Sequence, residues 1–186
     1  MYLIPQAWSR VIERLQMNGV AMKQLVKDTS ISCEVTYITS YESGKNPYEG
    51  HYPHYNTKTR TETQALKFYK GDYLISVDQA CNRYIVETLD PKGDDSFFAW
   101  NFFDAVLQQK EWFSDYIFEE KAEEILKADP KLKAELESKK KADKAFAENN
   151  RAQLYFIYMH SPYYEKSHNR YPVVGIYTKS YIDRKF

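Results

Sequence analysis

Five aromatic rings fall within seven residues at positions 97–103: Phe97, Phe98, Trp100, Phe102 and Phe103. No other stretch limits so strongly what this chain can fold into. Each ring removes roughly 150–250 Å² from water when buried, so the segment has to lie where a core closes, with Trp100 among the buried rings. The residues leading into it, 70–104, open on the turn signal Gly71-Asp72 between two apolar runs. Tyr73, Ile75 and Val77 then alternate with Leu74, Ser76 and Asp78, the period of a half-buried strand. Tyr84-Ile85-Val86 reads as a further short strand, ended by the turn residues Asp90-Pro91-Lys92-Gly93.

Upstream, Tyr2-Leu3-Ile4 is a short strand that Pro5 stops. Trp8, Val11, Ile12 and Leu15 follow at the spacing of one helical face. Asn18-Gly19 supplies the helix stop, and residues 20–27 read as a strand. This strand–helix–strand unit is too small to bury its own apolar face and must dock, on the following sheet or on a domain preceding it. Residues 29–41 alternate as a strand with one polar face. Residues 44–55, with two Gly and two Pro, form a loop, and the Thr-rich stretch 56–68 is an exposed strand. Strands joined by turns rather than helices point to antiparallel pairing in a sandwich. Beyond Asp104 the texture becomes helical. Ser114-Asp115 caps a helix carrying Ile117, Phe118, Ala122, Ile125 and Leu126. Asp129-Pro130 restarts a second helix, expected to run over 131–159, where Lys139-Lys140-Lys141 is a solvated face. Ser161-Pro162 ends it, and a Tyr-rich tail adds an edge strand near 172–177.

The expected fold is therefore α+β: a mainly antiparallel β-sandwich over 29–104, preceded by the strand–helix–strand unit at 1–28. A helical segment with its tail, 105–186, follows within the same single domain. Lys+Arg and Asp+Glu both number 26. Zero net charge argues against a nucleic-acid partner, since such domains carry a basic excess. No run approaches the ~20 apolar residues of a membrane span. Met1 leads straight into Tyr2-Leu3-Ile4-Pro5 without the regions of a secretory leader, though a cut inside a longer protein would also begin abruptly. Cys33 and Cys81 are the only cysteines; a bridge between them is open, but strand-like surroundings favour small buried thiols.

Few residue patterns carry chemistry. His51 and His54, in HYPHY, are the most tempting metal pair, but a strand sends i and i+3 to opposite faces and no third ligand is near. They read as loop histidines, as do His160 and His168. No G-x-S-x-G, G-x-G-x-x-G or phosphate-loop pattern occurs. Asp90, Asp94, Asp95 and Asp104 fall mostly in turn sequence, where bonding to backbone is the ordinary role. Tyr48, Tyr52 and Tyr55, with His51 and His54, are the candidate ligand-binding residues, able to stack on a sugar or a peptide from a loop. No catalytic residue and no metal ligand is assigned.

The segments YLIPQAWSRVIERLQMNGV, YEGHY, KGDYLISVDQ, RYIVETLDPKGDDSFFAWNFFD and SPYYEKSHNRYPV resemble, in this order over residues 2–174, the C-terminal region of large bacterial zinc carboxypeptidases of the carboxypeptidase A type. That family holds zinc with an H-x-x-E pair and a distant histidine. None of His51, His54, His160 or His168 has an acidic residue three places on, so no catalytic residue carries over. The resemblance implies a non-catalytic accessory domain, with zinc only in a separate peptidase domain as its partner, and a periplasmic or extracellular location. The alternative is a free-standing carbohydrate- or peptide-binding module.

Overall fold

The computed structural model describes residues 1–110 and 112–177. The chain divides into two compact units, one of Met1–Gln108 with the chain from Asn169 onward, the other of Gln109–His168. The first holds strands β1 (Tyr2–Ile4), β2 (Met22–Gln24), β3 (Thr29–Ser43), β4 (His54–Phe68), β5 (Tyr73–Ile75) and β6 (Val174–Gly175), with helices α1 (Ser9–Met17) and α2 (Asn82–Leu89). All six strands join one antiparallel sheet in the order β2-β5-β1-β6-β3-β4.

The α+β class and the antiparallel pairing stand, but the strands form one layer rather than two packed sheets. Turn spacing cannot tell these apart; what decides is the cover. Val11, Ile12 and Leu15 of α1, Ile85 and Leu89 of α2, and Phe97, Phe98 and Phe103 pack with Ile4, Ile38 and Ile75 of the sheet in one buried cluster. Helices and the aromatic segment thus take the place of a second sheet. Leu3 and Leu74, sequence neighbours of Ile4 and Ile75, alternate to the other side and join Ile31, Cys33, Val35 and Val174 in a second cluster. Cys33 and Cys81 are both free thiols, and they pack in different clusters.

Two strand assignments change. Residues 84–89 belong to helix α2, not to a strand. Their β-rich composition is overridden because burial follows 3.6-residue spacing: Ile85, Thr88 and Leu89 are buried while Val86 is exposed. An Arg83–Glu87 pair at 3.1 Å braces the outer face. The tail strand β6 lies between β1 and β3, not at an edge. Pro172 reads as an edge signal, but it precedes the paired residues: Val174 and Gly175 pair with Leu3 and Tyr2, and Gly175 with Glu34. The α1 stripe docks on the sheet, with Trp8 edge-on to Phe103 at 4.9 Å, and Gly19 at φ 74 stops the helix.

After α2, the turn is closed by Asp90, whose Oδ1 accepts from the Lys92 N–H at 2.9 Å. Gly93 fits there only because it lacks a side chain, since a Cβ would lie 2.4 Å from the Glu87 carbonyl oxygen. Gly93→Ala is therefore expected to cost about 2 kcal/mol, read as a lowered midpoint in thermal unfolding; an unchanged midpoint would mean this turn has slack.

The second unit contains α3 (Asp115–Ala128), α4 (Pro130–Ala142), α5 (Lys144–Ala147) and α6 (Asn150–Met159). Phe118, Ala122, Leu136, Phe146, Ile157 and Tyr158 form its core, whereas Ile117 of the expected stripe is exposed. Asp129 caps α4 by accepting from the Lys131 and Leu132 N–H groups, with Pro130 in the first turn. The stretch 131–159 is three helices rather than one. Asp143 accepts from the Phe146 N–H and Asn149 from the Ala152 N–H, so each side chain opens a new helix. No helix among the described residues is long and apolar enough to cross a membrane.

Candidate functional site

The long hairpin of β3 and β4 ends in the loop that carries the candidate residues. Tyr48 and His51 exchange backbone hydrogen bonds of 2.8 and 2.9 Å, around Glu49 and Gly50 at φ 50 and 77. Positive φ at both central positions is the type I′ turn that suits a hairpin's twist. The aromatic segment 97–103 grips the returning strand. Asn101, held at φ 63, accepts from the Tyr52 N–H at 3.0 Å and donates to the Tyr52 carbonyl at 2.9 Å. The His54 N–H donates to the Ala99 carbonyl at 2.8 Å.

His54 is the centre of the site, and it is not a loop histidine. It opens β4 with only 7 % of its surface exposed. Its Nε2 lies 2.9 Å from Asp104 Oδ1 and its Nδ1 2.8 Å from Ser43 Oγ. The Asn101 amide nitrogen also lies 3.1 Å from Nε2; a carboxylate only accepts, so in the tautomer that serves Asp104 the Nε2–H donates to it and Nδ1 accepts the Ser43 hydroxyl. Tyr41 and Phe98 flank the ring at 4.6 and 5.0 Å between centroids. Ser43 and His54 are direct cross-strand partners, which is why their side chains meet.

The polarity is that of a serine hydroxyl polarised by a carboxylate-oriented imidazole. Acyl transfer also needs N–H groups aimed at a developing oxyanion. The N–H of Gly44, next in sequence to Ser43, already donates to the Pro53 carbonyl at 2.9 Å. The group fits most directly as a polar clamp, His54 buried between the exposed Ser43 and Asp104, that fixes one wall of a recess.

That recess is an open cleft of about 570 Å³ whose walls include Tyr41, Ser43, His51, Tyr52, His54 and Asp104. His51, Tyr52 and His54 of the five expected binding residues meet there. Tyr48 does not line it; exposed, it leans on Trp100 at 6.0 Å. Tyr55, also exposed, pairs in the ladder with Glu42 outside the cleft. Trp100 itself is only half-buried, its indole meeting the His51 ring edge-on at 5.6 Å, so it serves the loop more than the core. His160 and His168 lie in the helical unit, where the His160 Nδ1 pairs with the Phe156 carbonyl at 2.8 Å and His168 with the Tyr164 hydroxyl. Among the described residues, no three His, Cys, Asp or Glu side chains gather as a metal-ligand set.

Ser43 and Asn101 complete the site and escape sequence reading, and Asp104, grouped by sequence with the turn carboxylates, joins them through His54. Asp104 is 50 residues from His54, and only the fold brings them together. An Asn inside an aromatic run, where packing has no use for it, is the one local hint.

Two fungal proteins are similar to part of this chain: Carboxypeptidase 2 of Trichophyton rubrum and Carboxypeptidase 2 of Trichophyton tonsurans. Each is 28% identical over 96 residues, which is 52% of this chain and 18% of the relative. No family model matches the chain, and no solved structure matches it. The chain thus spans under a fifth of the curated relatives it matches, and the similarity to these two carboxypeptidases covers about half of its own length.

Proposed function

We propose that this chain is a non-catalytic accessory domain of a carboxypeptidase-related protein, packed beside a peptidase domain or helping to present its substrate. The observation that carries this reading is the partial match: two carboxypeptidases share a stretch that is only 18% of their length. The absence of any H-x-x-E pair from this sequence agrees with a role outside the zinc chemistry. Purified chain given zinc is expected to release no C-terminal amino acid from blocked dipeptides. An in-frame or neighbouring reading frame encoding an H-x-x-E peptidase is expected upstream of Met1. Turnover that a chelator abolishes would overturn the proposal.

A second reading, a carbohydrate- or peptide-binding module, is favoured by the cleft itself. Tyr41, His51 and Tyr52 bring rings to an open recess beside the polar groups of Ser43, His54 and Asp104, the mixture that orients a polar ligand. Glycan and peptide arrays test it: binding should fall about tenfold in Tyr52→Ala if one stacked ring is lost, and a blank array leaves it without support.

A further inference from the structure

Strand β4 is the outer member of the sheet: β3 lies on one side of it, and no strand of the described residues lies on the other. Such edges are usually blunted by proline, a bulge or short length. Here the ladder with β3 runs without a break from the pair Ile38 and Thr59 to the pair Thr29 and Phe68, the irregular stretch falling before it. Residues 59–68 hold no Pro and no Gly, and Arg60, Thr61, Glu62 and Thr63 are exposed. Strand β3 identifies which backbone groups of β4 face outward. Its Ile38 N–H donates to the Asn169 carbonyl at 2.9 Å, and its Thr36 carbonyl accepts from the Tyr171 N–H at 2.8 Å. Both residues thus turn away from β4. Their ladder partners Thr59 and Thr61 therefore turn their own N–H and C=O groups to the free side, as does Thr63 two places on.

We infer that this edge pairs antiparallel with the same edge of a second copy of the chain, about a two-fold axis at Thr61. The stretch Thr59-Arg60-Thr61-Glu62-Thr63 is its own complement when reversed. Thr61 meets Thr61 of the second copy, Thr59 meets Thr63, and Arg60 meets Glu62 twice. Backbone parity agrees with charge. The threonines, whose N–H and C=O groups face out, meet as hydrogen-bonded pairs with about six bonds in all. Arg60 and Glu62 meet as the non-hydrogen-bonded pairs, whose side chains come closest. Both already sit on one face of the sheet, ion-paired within the chain at 3.1 Å, with the Arg60 guanidinium over the Tyr37 ring at 4.1 Å. Moving the axis by one residue would set Arg60 against Arg60 or Glu62 against Glu62, so charge selects the register. The same patch serves both copies, the mark of a closed two-fold dimer. One strand's width is less than the ~1,200–2,000 Å² of a standard interface, so a dissociation constant of roughly tens of micromolar is expected.

Sedimentation equilibrium of the full chain, from about 1 to about 500 μM, tests this and should show a monomer passing to a dimer. Arg60→Glu and Glu62→Arg, each alone, put like charges opposite one another and should weaken the dimer about tenfold or more. Mixed in equal amounts, these two variants regain opposite charges at both contacts and should form a heterodimer as tight as the parent dimer. Neither variant regains the ion pair within its own chain, so this rescue reads only the contact between copies. Thr61→Pro removes an outward N–H, a change an edge strand tolerates, and should leave a monomer. A parent chain that stays monomeric throughout overturns the inference and leaves the edge to a strand of another protein. A dimer indifferent to the charge reversals or to Thr61→Pro, or a mixture without heterodimer, overturns it as well, since association would then use another surface or register. Circular dichroism checks that each variant is folded; should Thr61→Pro fail to fold, the two charge variants and their mixture carry the test.

Discussion

Phe103→Ala is expected to lower the unfolding free energy by about 3–5 kcal/mol, the range for emptying a buried aromatic site. The ring is fully buried and joins three layers of contact. Trp8, at the N-cap of α1, meets it at 4.9 Å and Tyr171 at 5.0 Å, while the surrounding cluster includes Ile4 and Ile75 of the sheet. These neighbours come from elements far apart in sequence, so they cannot collapse into the void without shifting the helix against the sheet. Urea denaturation with matched slopes measures the loss, and a value below about 1 kcal/mol would mean the site repacks. Trp100→Ala provides the contrast. Half-buried against the hairpin loop, it should cost about 1–2 kcal/mol, although the sequence alone marks it as core.

Asp72→Ala is expected to cost about 3 kcal/mol, through hydrogen bonds rather than volume. Its carboxylate is 3% exposed as a residue and accepts from the Gln6 N–H at 3.0 Å and the Tyr69 N–H at 2.8 Å. One side chain thereby ties the exit of β1 to the entry of β5. Alanine would leave two part-buried backbone donors without their acceptor. Asp72→Asn keeps one acceptor oxygen and should fall between alanine and the parent. Equal stability of all three in chemical denaturation would show that water replaces the carboxylate without loss.

Much of this architecture is legible from local pattern. The α1 face at Trp8, Val11, Ile12 and Leu15, the alternation of β3, and the Asp129-Pro130 helix start are each decided by neighbouring residues. What local pattern misreads are positions where a distant partner chooses. Tyr84-Ile85-Val86 has strand composition, yet Ile85 and Leu89 bury together on a helix. Asp143 and Asn149 look like ordinary solvated residues of a long helix until their side chains bond to backbone and restart it. The site shows the same division. His51, Tyr52 and His54 stand out in a loop rich in Gly and Pro. The burial of His54 by Phe98, and its bond to Asp104, depend on a segment some 50 residues further on.

The place of β6 has a consequence for how the molecule is made. Since β1 and β3 touch only through this late strand, the leading half of the polypeptide emerges from a ribosome as two sheet fragments with a missing rung. Closure waits for residues near 175, and such long-range closure slows folding. Until then, the facing edges of β1 and β3 are open to pairing with the wrong chain.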